Sequence, residues 1–328
     1  MTRQTVDEPL ILLSRQYDRT AALVDGRVSV GGRRTRIEVM DSPPATFKRL
    51  STDHNVVAGE MSFGFHTAAA NTDSPAFVGV PVFLSRSFRH GNVFVRKDSS
   101  LDDFSQLAGH RIGLEEYAMT MAVWVRALLD DAGIRPEQIH WHTARSPVVA
   151  PEVEARLQQS LNLNRVEPGS LWKLLEAGEI DAVIGRPPDF HDVYDGPFRR
   201  LLRDHWQVQR SHFQSTGIFP IMHVLVVRRD AYEADPAIAM DLYDAFTDAK
   251  RLAIEDLRTN LNTLCVTLPM LEAHVEETDA LFGPDWWPYG VTANRTSLET
   301  FVIHSLRQGL ITSHLEIDQL FCAETLST

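Results

Sequence analysis

Cysteine is scarce in this chain, which has two, Cys265 and Cys322, among its 328 residues. The two do not form a CxxC pair, the spacing that is typical of structural zinc sites and of redox-active dithiols. Small secreted domains that depend on disulfides are much richer in cysteine than this. We therefore expect two buried thiols and no disulfide framework.

Long apolar runs are also missing. No stretch approaches the roughly 18 apolar residues that a transmembrane helix requires. Near the N-terminus only the four residues 10–13 are continuously apolar, and Ser14 and Arg15 end the run. A run of this length is too short for the apolar part of a signal peptide. We therefore predict a cytoplasmic protein with no membrane partner.

Positive charge is in deficit. The chain has 32 Lys and Arg against 44 Asp and Glu, a formal net charge of −12, and no long basic segment. A protein that binds nucleic acid or an anionic membrane surface normally carries a basic patch for that purpose. The charge balance therefore predicts neither partner.

The sequence also lacks the short motifs of several common enzymes. It has no phosphate-binding GxxxxGKS/T loop, no GxSxG turn and no GxGxxG between a strand and a helix. Nucleotide, serine-hydrolase and Rossmann chemistry therefore have no support. His66, His90, His223 and Glu60 could converge on a divalent ion, but these four residues do not form an HxH or HExxH spacing. We predict no metal and no cofactor.

Short apolar runs that alternate with helical patterns fill the first half of the chain. Alternation of this kind is typical of an α/β protein with largely parallel sheets. A chain of this length also exceeds the roughly 250 to 300 residues at which a single core usually divides. The runs that predict strands are residues 10–13, 37–40, 77–83, 93–95, 109–114, 182–184 and 222–227.

Helical patterns follow several of these strands and dominate the C-terminal third. One helix is predicted to begin at Thr120, as its cap, and to end near Gly133. From Pro236 onward the pattern is nearly all helical. Its apolar stripe, Leu298, Phe301, Val302 and Leu306, predicts core packing, with association into a homo-oligomer as the alternative.

The segments 111–120 and 178–188 resemble the ligand-binding half of type II periplasmic binding proteins. The resemblance implies two α/β lobes with a substrate cleft between them and a helical C-terminal extension. We expect residues 1–90 and 224–328 to form the first lobe. Residues 91–223 are then the inserted second lobe.

A more specific resemblance covers nearly the whole chain, because its motifs occur in order from residue 17 to residue 301. Together they resemble the 4,5-dihydroxyphthalate decarboxylase family. The segments are YDRT at 17–20, DGRV at 25–28, GEMS at 59–62, GVPVFLSRSFRH at 79–90, EEYAMTMAVWVR at 115–126, IFPIMH at 218–223, HVEET at 274–278, DWWPYG at 285–290 and NRTSLETF at 294–301.

The resemblance implies a decarboxylase that needs no cofactor and converts 4,5-dihydroxyphthalate to protocatechuate. Glu115, Ala118, the segment 143–168 and residues 185–190 differ from the family pattern. A related aromatic or unsaturated diacid therefore stays open as the substrate. Two alternatives keep the fold. One is a non-catalytic solute-binding protein for a small carboxylate, and the other is a different lyase.

Arginine side chains are the natural ligands for a diacid, because the guanidinium fork matches a carboxylate. Arg19, Arg86 and Arg89 occur where the chain leaves apolar strands, and Arg186 follows another strand. We predict that they bind the substrate. Tyr117 and Thr120, at a predicted helix N-terminus, form a second predicted carboxylate site.

Decarboxylation also needs proton transfer. His90 and His223 precede the two predicted crossings between the lobes, and either histidine could protonate the ring carbon near neutral pH. Glu60 follows an apparent strand and could accept a phenol proton or orient a histidine. We predict all three as catalytic residues, with structural roles as the alternative for each.

Overall fold

Two β-sheets organise the protein. The computed structural model describes residues 9–189, 195–263 and 266–328. The first sheet contains β1 (Leu10–Ser14), β2 (Thr35–Val39), β3 (Val56–Ser62), β4 (Phe77–Arg86) and β11 (Ile221–Arg228). The second contains β5 (Val93–Arg96), β6 (Arg111–Leu114), β7 (His140–Thr143), β8 (Asn162–Arg165), β9 (Ala182–Ile184) and β10 (Phe198–Arg200).

Both sheets are largely parallel, with one reversed strand in each. In the first, ordered β2-β1-β3-β11-β4, only β11 runs against its neighbours. In the second, ordered β10-β5-β9-β6-β7-β8, only β5 does so. The α/β class is confirmed. The two reversed strands are those that follow a crossing between the sheets.

The chain crosses between the sheets twice. The first crossing (residues 87–92) joins β4 to β5, and the second (residues 201–220) joins β10 to β11. The predicted boundary between residues 223 and 224 falls inside β11, which pairs with β3 and β4 of the first sheet. The division into two lobes itself stays a prediction.

Helices cover the sheets and build the C-terminal third. Predicted helical packing there is confirmed, since Leu298, Phe301 and Val302 are fully buried and Leu306 packs against the same core. The helices are α1 (Asp18–Val24), α2 (Pro43–Thr52), α3 (Phe63–Ala70), α4 (Thr120–Asp131), α5 (Pro151–Ser160), α6 (Leu171–Ala177), α7 (His205–Thr216), α8 (Arg229–Ala234), α9 (Ile238–Thr263), α10 (Leu271–Phe282) and α11 (Arg295–Arg307).

The N-terminus of α4 differs from the prediction in one respect. The helix begins at Thr120, but Met119 is its cap residue, so Thr120 is not the cap. The Thr120 hydroxyl shares a hydrogen bond of 2.8 Å with Ser62 Oγ and accepts one of 2.8 Å from the Gly64 amide. Thr120 therefore fastens α4 to the junction of β3 and α3.

The remaining sequence expectations concern cysteine and membranes. Cys322 is buried, and burial raises the pKa of its thiol to about 12. Cys265 lies outside the described residues. Within the described part of the chain, no helix has the length and apolar character needed to cross a membrane.

Candidate active site

A buried carboxylate in β3 links β11 to the residue that precedes α1. Glu60 is fully buried, and its Oε1 atom accepts hydrogen bonds from the Tyr17 hydroxyl at 2.8 Å and from His223 Nδ1 at 2.5 Å. Tyr17 lies between β1 and α1, and His223 lies in β11 beside β3. Burial and the neighbouring Glu60 charge raise the pKa of Tyr17 well above its usual value, so Tyr17 stays a donor.

His223 is held by one ring nitrogen and partly exposed at the other side. Its Nδ1 faces Glu60, the ring packs edge-on against Phe47 with centroids 5.4 Å apart, and 18% of the side chain is exposed. Nε2 has no hydrogen bond to any described residue. A carboxylate that fixes one nitrogen of an exposed imidazole leaves the other free for proton transfer.

His90 has a different environment. It is buried in the first crossing, its ring centroid is 4.9 Å from that of His212, and its Nδ1 has no partner among the described residues. Burial, with smaller contributions from His212 and His205, lowers the pKa of His90 to about 4. A neutral imidazole at pH 7 is a poor proton donor. The surroundings of the two histidines therefore favour His223 over His90 as the proton donor.

A cavity of about 560 Å³ adjoins the first crossing, and its lining is positively charged. Four arginines line it, Arg86, Arg89, Arg186 and Arg200, and none of its described lining residues is Asp or Glu. We call it the arginine cavity. Apolar walls complete it, formed by Phe88, Phe94, Trp206, Phe219 and Phe282. An aromatic dianion has the shape and charge that this lining complements.

Glycine allows the walls of the arginine cavity to approach closely. A Cβ atom at Gly91 would lie 2.6 Å from a ring carbon of His205 and 3.0 Å from Arg200 Nη1. Arg200 donates to the Gly91 carbonyl from the same position. Arg200 and His205 had no signal in the sequence, because only the folded chain brings them to the first crossing.

Arg89 is the cavity residue whose partners are weakest. Its Nε lies 2.7 Å from Met222 Sδ, while Nη1 lies 3.4 Å from Asn92 Oδ1 and 3.6 Å from Met121 Sδ. Burial, with a contribution from Arg186, lowers its pKa to about 10, so it is still cationic at neutral pH. Thioethers are weak acceptors, and a partly buried cation that has them as partners is suited to bind an anion.

Arg86 lines the same cavity but uses most of its donors within the protein. Nη1 donates to the Phe219 carbonyl at 3.0 Å, and Nη2 donates to the Pro288 carbonyl at 2.7 Å and to the Asn294 side chain. Burial lowers its pKa to about 9. Arg86 therefore ties β4 to the second crossing and supplies positive charge to the cavity.

Arg19 lies outside the arginine cavity. Its guanidinium carbon is 4.1 Å from the centroid of the Tyr17 ring and 4.3 Å from that of the Trp287 ring, and Nε donates to the Leu84 carbonyl at 2.9 Å. It is thus a layer behind Tyr17. The substrate contact expected for Arg19 stays a prediction.

Tyr117 and Thr120 do not line the cavity either. Tyr117 is fully buried, with the Arg126 guanidinium carbon 3.8 Å from its ring centroid and the Trp141 ring edge-on at 5.8 Å. The Thr120 hydroxyl is occupied by Ser62 and Gly64. Because these contacts are internal to the protein, we propose no carboxylate site at these two residues.

Strand register links the arginine cavity to the Glu60–His223 pair. His223 pairs with Ser85 of β4 on one side and with Ser62 of β3 on the other. Side chains of paired residues lie on the same face of a sheet. Ser85 also lines the arginine cavity, so His223 lies one strand away from it.

Of the four residues considered for a metal, Glu60 and His223 are in contact, whereas His66 and His90 have other neighbours. His66 is fully buried, and its Nε2 forms a hydrogen bond of 2.8 Å with the Leu320 carbonyl. Burial lowers the pKa of His66 to about 4. In the described ranges, no group of three His, Cys, Asp or Glu side chains has the arrangement of a metal site.

Two known proteins share this sequence pattern. The 4,5-dihydroxyphthalate decarboxylase of Comamonas testosteroni is 30% identical over 318 residues, which are 95% of this chain and 96% of that protein. The chain belongs to the 4,5-dihydroxyphthalate decarboxylase family. The Pseudomonas putida protein of the same name is 31% identical over 176 residues, 52% of this chain and 67% of that protein. No family model matches the sequence.

Solved structures show the fold of this decarboxylase family member. The periplasmic aliphatic sulphonate binding protein SsuA of Escherichia coli aligns with a TM-score of 0.55 and 14% identity, covering 96% of this chain and 92% of SsuA. A ligand-binding component of an ABC-type import system from Staphylococcus aureus aligns with a TM-score of 0.56 and 11% identity, covering 98% of each chain. The predicted binding-protein-like fold is confirmed.

Proposed function

We propose that this protein is a decarboxylase that converts 4,5-dihydroxyphthalate to protocatechuate and CO2. Family membership supports the reaction type. The observation that carries the proposal is the arginine cavity, which offers four guanidinium groups and aromatic walls and whose lining residue Ser85 pairs with His223 of the His–Glu pair. A substrate with two carboxylates on an aromatic ring matches both features.

Arg89 and Arg186 are the proposed carboxylate ligands. Arg89 comes from the first crossing and Arg186 follows β9 of the second sheet, so a bound dianion would touch both parts of the chain. Hydrogen bonds between a guanidinium and a carboxylate are charge-assisted and bidentate. They would fix the plane of the ring, which positions the reacting carbon for proton transfer.

In the proposed reaction, the substrate itself accepts the electron pair of the breaking carbon–carbon bond. Proton delivery to the ring carbon that bears the departing carboxylate, with loss of the proton of the para hydroxyl, gives a keto tautomer. When the carbon–carbon bond breaks, its electron pair moves into the ring and onto that carbonyl oxygen. CO2 leaves, the ring becomes aromatic again, and the phenolate regains a proton.

His223 is the proposed donor of the proton to the ring carbon. Its Nδ1 is fixed by Glu60, its Nε2 has no hydrogen bond to a described residue, and 18% of the side chain is exposed. Each turnover consumes one proton, which His223 recovers from solvent. General acid catalysis by a positioned side chain contributes about 10² to 10⁴ to a rate.

The alternative is a solute-binding protein that holds the same diacid unchanged. The fold neighbours with TM-scores above 0.5 include transport components, which is why this alternative is tested directly. The His–Glu pair distinguishes the two functions, since binding an anion requires no proton donor.

One incubation separates these functions. Purified protein is mixed with 4,5-dihydroxyphthalate, and headspace CO2 and protocatechuate are measured over time. We expect the two products in equal amounts. Recovery of the bound diacid unchanged would establish the solute-binding alternative, and CO2 release from a different diacid in a substrate panel would change the substrate assignment.

A further inference from the structure

Tyr17 shares its hydrogen-bond acceptor with His223. We propose that Tyr17 is a positioning residue, which donates to Glu60 and fixes the oxygen atom that holds the His223 ring. This inference rests on the proposed role of His223 and Glu60 in proton transfer. The Tyr17 hydroxyl does not take part in bond making; it acts through Glu60.

The first argument is the environment of the carboxylate. Glu60 is fully buried, and both hydrogen bonds converge on Oε1, while Oε2 has no partner among the described residues. No described lysine or arginine forms an ion pair with it. A buried carboxylate needs donors to stay ionised. Tyr17 and His223 are the donors that the structure supplies.

The second argument is the rigidity of Tyr17. Its backbone is extended at the N-cap of α1, and its amide donates to Thr20 Oγ1 at 3.3 Å. Behind the ring, Arg19 is stacked between Tyr17 and Trp287, and the Trp287 Nε1–H donates to the Phe83 carbonyl at 2.8 Å. Arg19 itself donates to the Leu84 carbonyl.

This stack gives Arg19 and Trp287 a function that does not involve the substrate. Both are anchored to carbonyls of β4, so the Tyr17 ring is held against a rigid element. A functional group is positioned most accurately when the residues behind it are themselves fixed. The charged groups that face Tyr17 are Glu60, Arg19 and Arg15, whose guanidinium carbon lies 5.9 Å from the ring.

The consequence is a specific pH dependence. Without the Tyr17 donor, the ionised form of Glu60 loses one of its two hydrogen bonds, and protonation of the carboxylate becomes easier. The acidic limb of the kcat profile should therefore move to higher pH. A protonated Glu60 no longer stabilises the imidazolium of His223, so kcat should fall while substrate binding in the arginine cavity is unchanged.

The test is Tyr17→Phe, which keeps the ring and the stack on Arg19. We expect kcat to fall about tenfold, KM to stay within about twofold, and the acidic limb to rise by about one pH unit. Tyr232→Phe is the matched control, because that hydroxyl also donates to a carboxylate, Glu324 at 2.7 Å, in a different part of the protein. It should leave the profile unchanged.

A second measurement separates this inference from the proposed reaction. The His223 ring is titrated by 15N NMR without substrate, in the wild type and in Tyr17→Phe. A moved midpoint supports the role of Tyr17 even if 4,5-dihydroxyphthalate proves not to be the substrate. An unmoved midpoint together with an unmoved kcat profile would overturn it, although the decarboxylase proposal would survive.

Discussion

At positions 90 and 223 the same imidazole meets two environments. His90 is enclosed, with His212 as a neighbour and a pKa of about 4. His223 is partly exposed and bound to a carboxylate. The chemistry of a histidine follows from these surroundings rather than from its place near a crossing.

These environments predict opposite results for two matched substitutions. His223→Gln should lower kcat about 100-fold or more, because it removes the proton donor, with KM little changed. His90→Gln should leave kcat within about threefold. Steady-state kinetics on 4,5-dihydroxyphthalate measures both. Full turnover by His223→Gln would show that the assigned donor is wrong.

Sequence reasoning selected Glu60 and His223 but could not pair them or choose between the two histidines. Their 2.5 Å contact depends on the antiparallel register of β3 and β11, whose residues are 163 positions apart. Tyr17 was within a family-like segment, but its role depends on a hydrogen bond that no spacing predicts. The substrate role predicted for Arg19 did not anticipate its stack with Trp287.

At the scale of elements, the loop between β6 and α4 contains a buried acid. Glu116 Oε1 accepts hydrogen bonds from the Ala118 amide at 2.7 Å and from the Val148 amide at 3.0 Å, while Oε2 is buried without a partner in the described chain. Burial raises the pKa of Glu116 from 4.5 to about 7. The folded protein therefore holds a proton there that the unfolded chain releases.

The proton held by Glu116 decides how the free energy of unfolding changes with pH. Below pH 4.5 both states are protonated and the residue has no effect on stability; as pH rises toward 7, the free energy of unfolding decreases. At about 1.4 kcal/mol per pH unit, the difference between 4.5 and about 7 corresponds to about 3 kcal/mol at pH 8.

Glu116→Gln should remove this penalty because an amide is neutral at every pH and keeps an oxygen for the two amides. Urea unfolding at pH 8 should show a higher free energy of unfolding for the variant, by up to about 3 kcal/mol. At pH 4.5 the two proteins should be equal. The same difference at both pH values would contradict a titrating Glu116.

The polarity of a strand decides whether it can be predicted from the sequence. Strands with continuous apolar residues, such as β1, β4 and β9, were predicted close to their observed positions. β7, β8 and β10, with sequences HWHT, NLNR and FRR, were missed. All three contain polar residues, and β8 and β10 lie at the edges of the second sheet. Their pairing is a tertiary effect.

At the scale of the whole molecule, the charge of the arginine cavity is opposite in sign to the net charge of the chain. The chain has a net charge of −12, yet the lining of the arginine cavity contains four arginines and no described acid. Exposed charges are screened within about 10 Å at ordinary salt concentrations, whereas buried charges are screened much less. Recognition of a dianion should therefore depend on the cavity and little on the net charge.

Phthalate tests this recognition without the reaction. It carries the two adjacent carboxylates but no ring hydroxyl, so it has no keto tautomer and should not be decarboxylated. We expect competitive inhibition and, at about 100 times its Kd, stabilisation of the fold by about 2.7 kcal/mol. Benzoate has one carboxylate fewer and should bind about tenfold or more weakly. Calorimetry and thermal unfolding measure both ligands.

Substitution of one cavity arginine decides whether the arginine cavity is the place of binding. Arg89→Met should lose at least about tenfold in phthalate affinity, because its guanidinium has no strong internal acceptor and is therefore available to a ligand. Arg251→Met removes an equal charge from the exposed face of α9, where that arginine pairs with Glu255, and should bind phthalate normally. If both variants bind like the wild type, the dianion binds elsewhere. If both weaken equally, net charge controls binding.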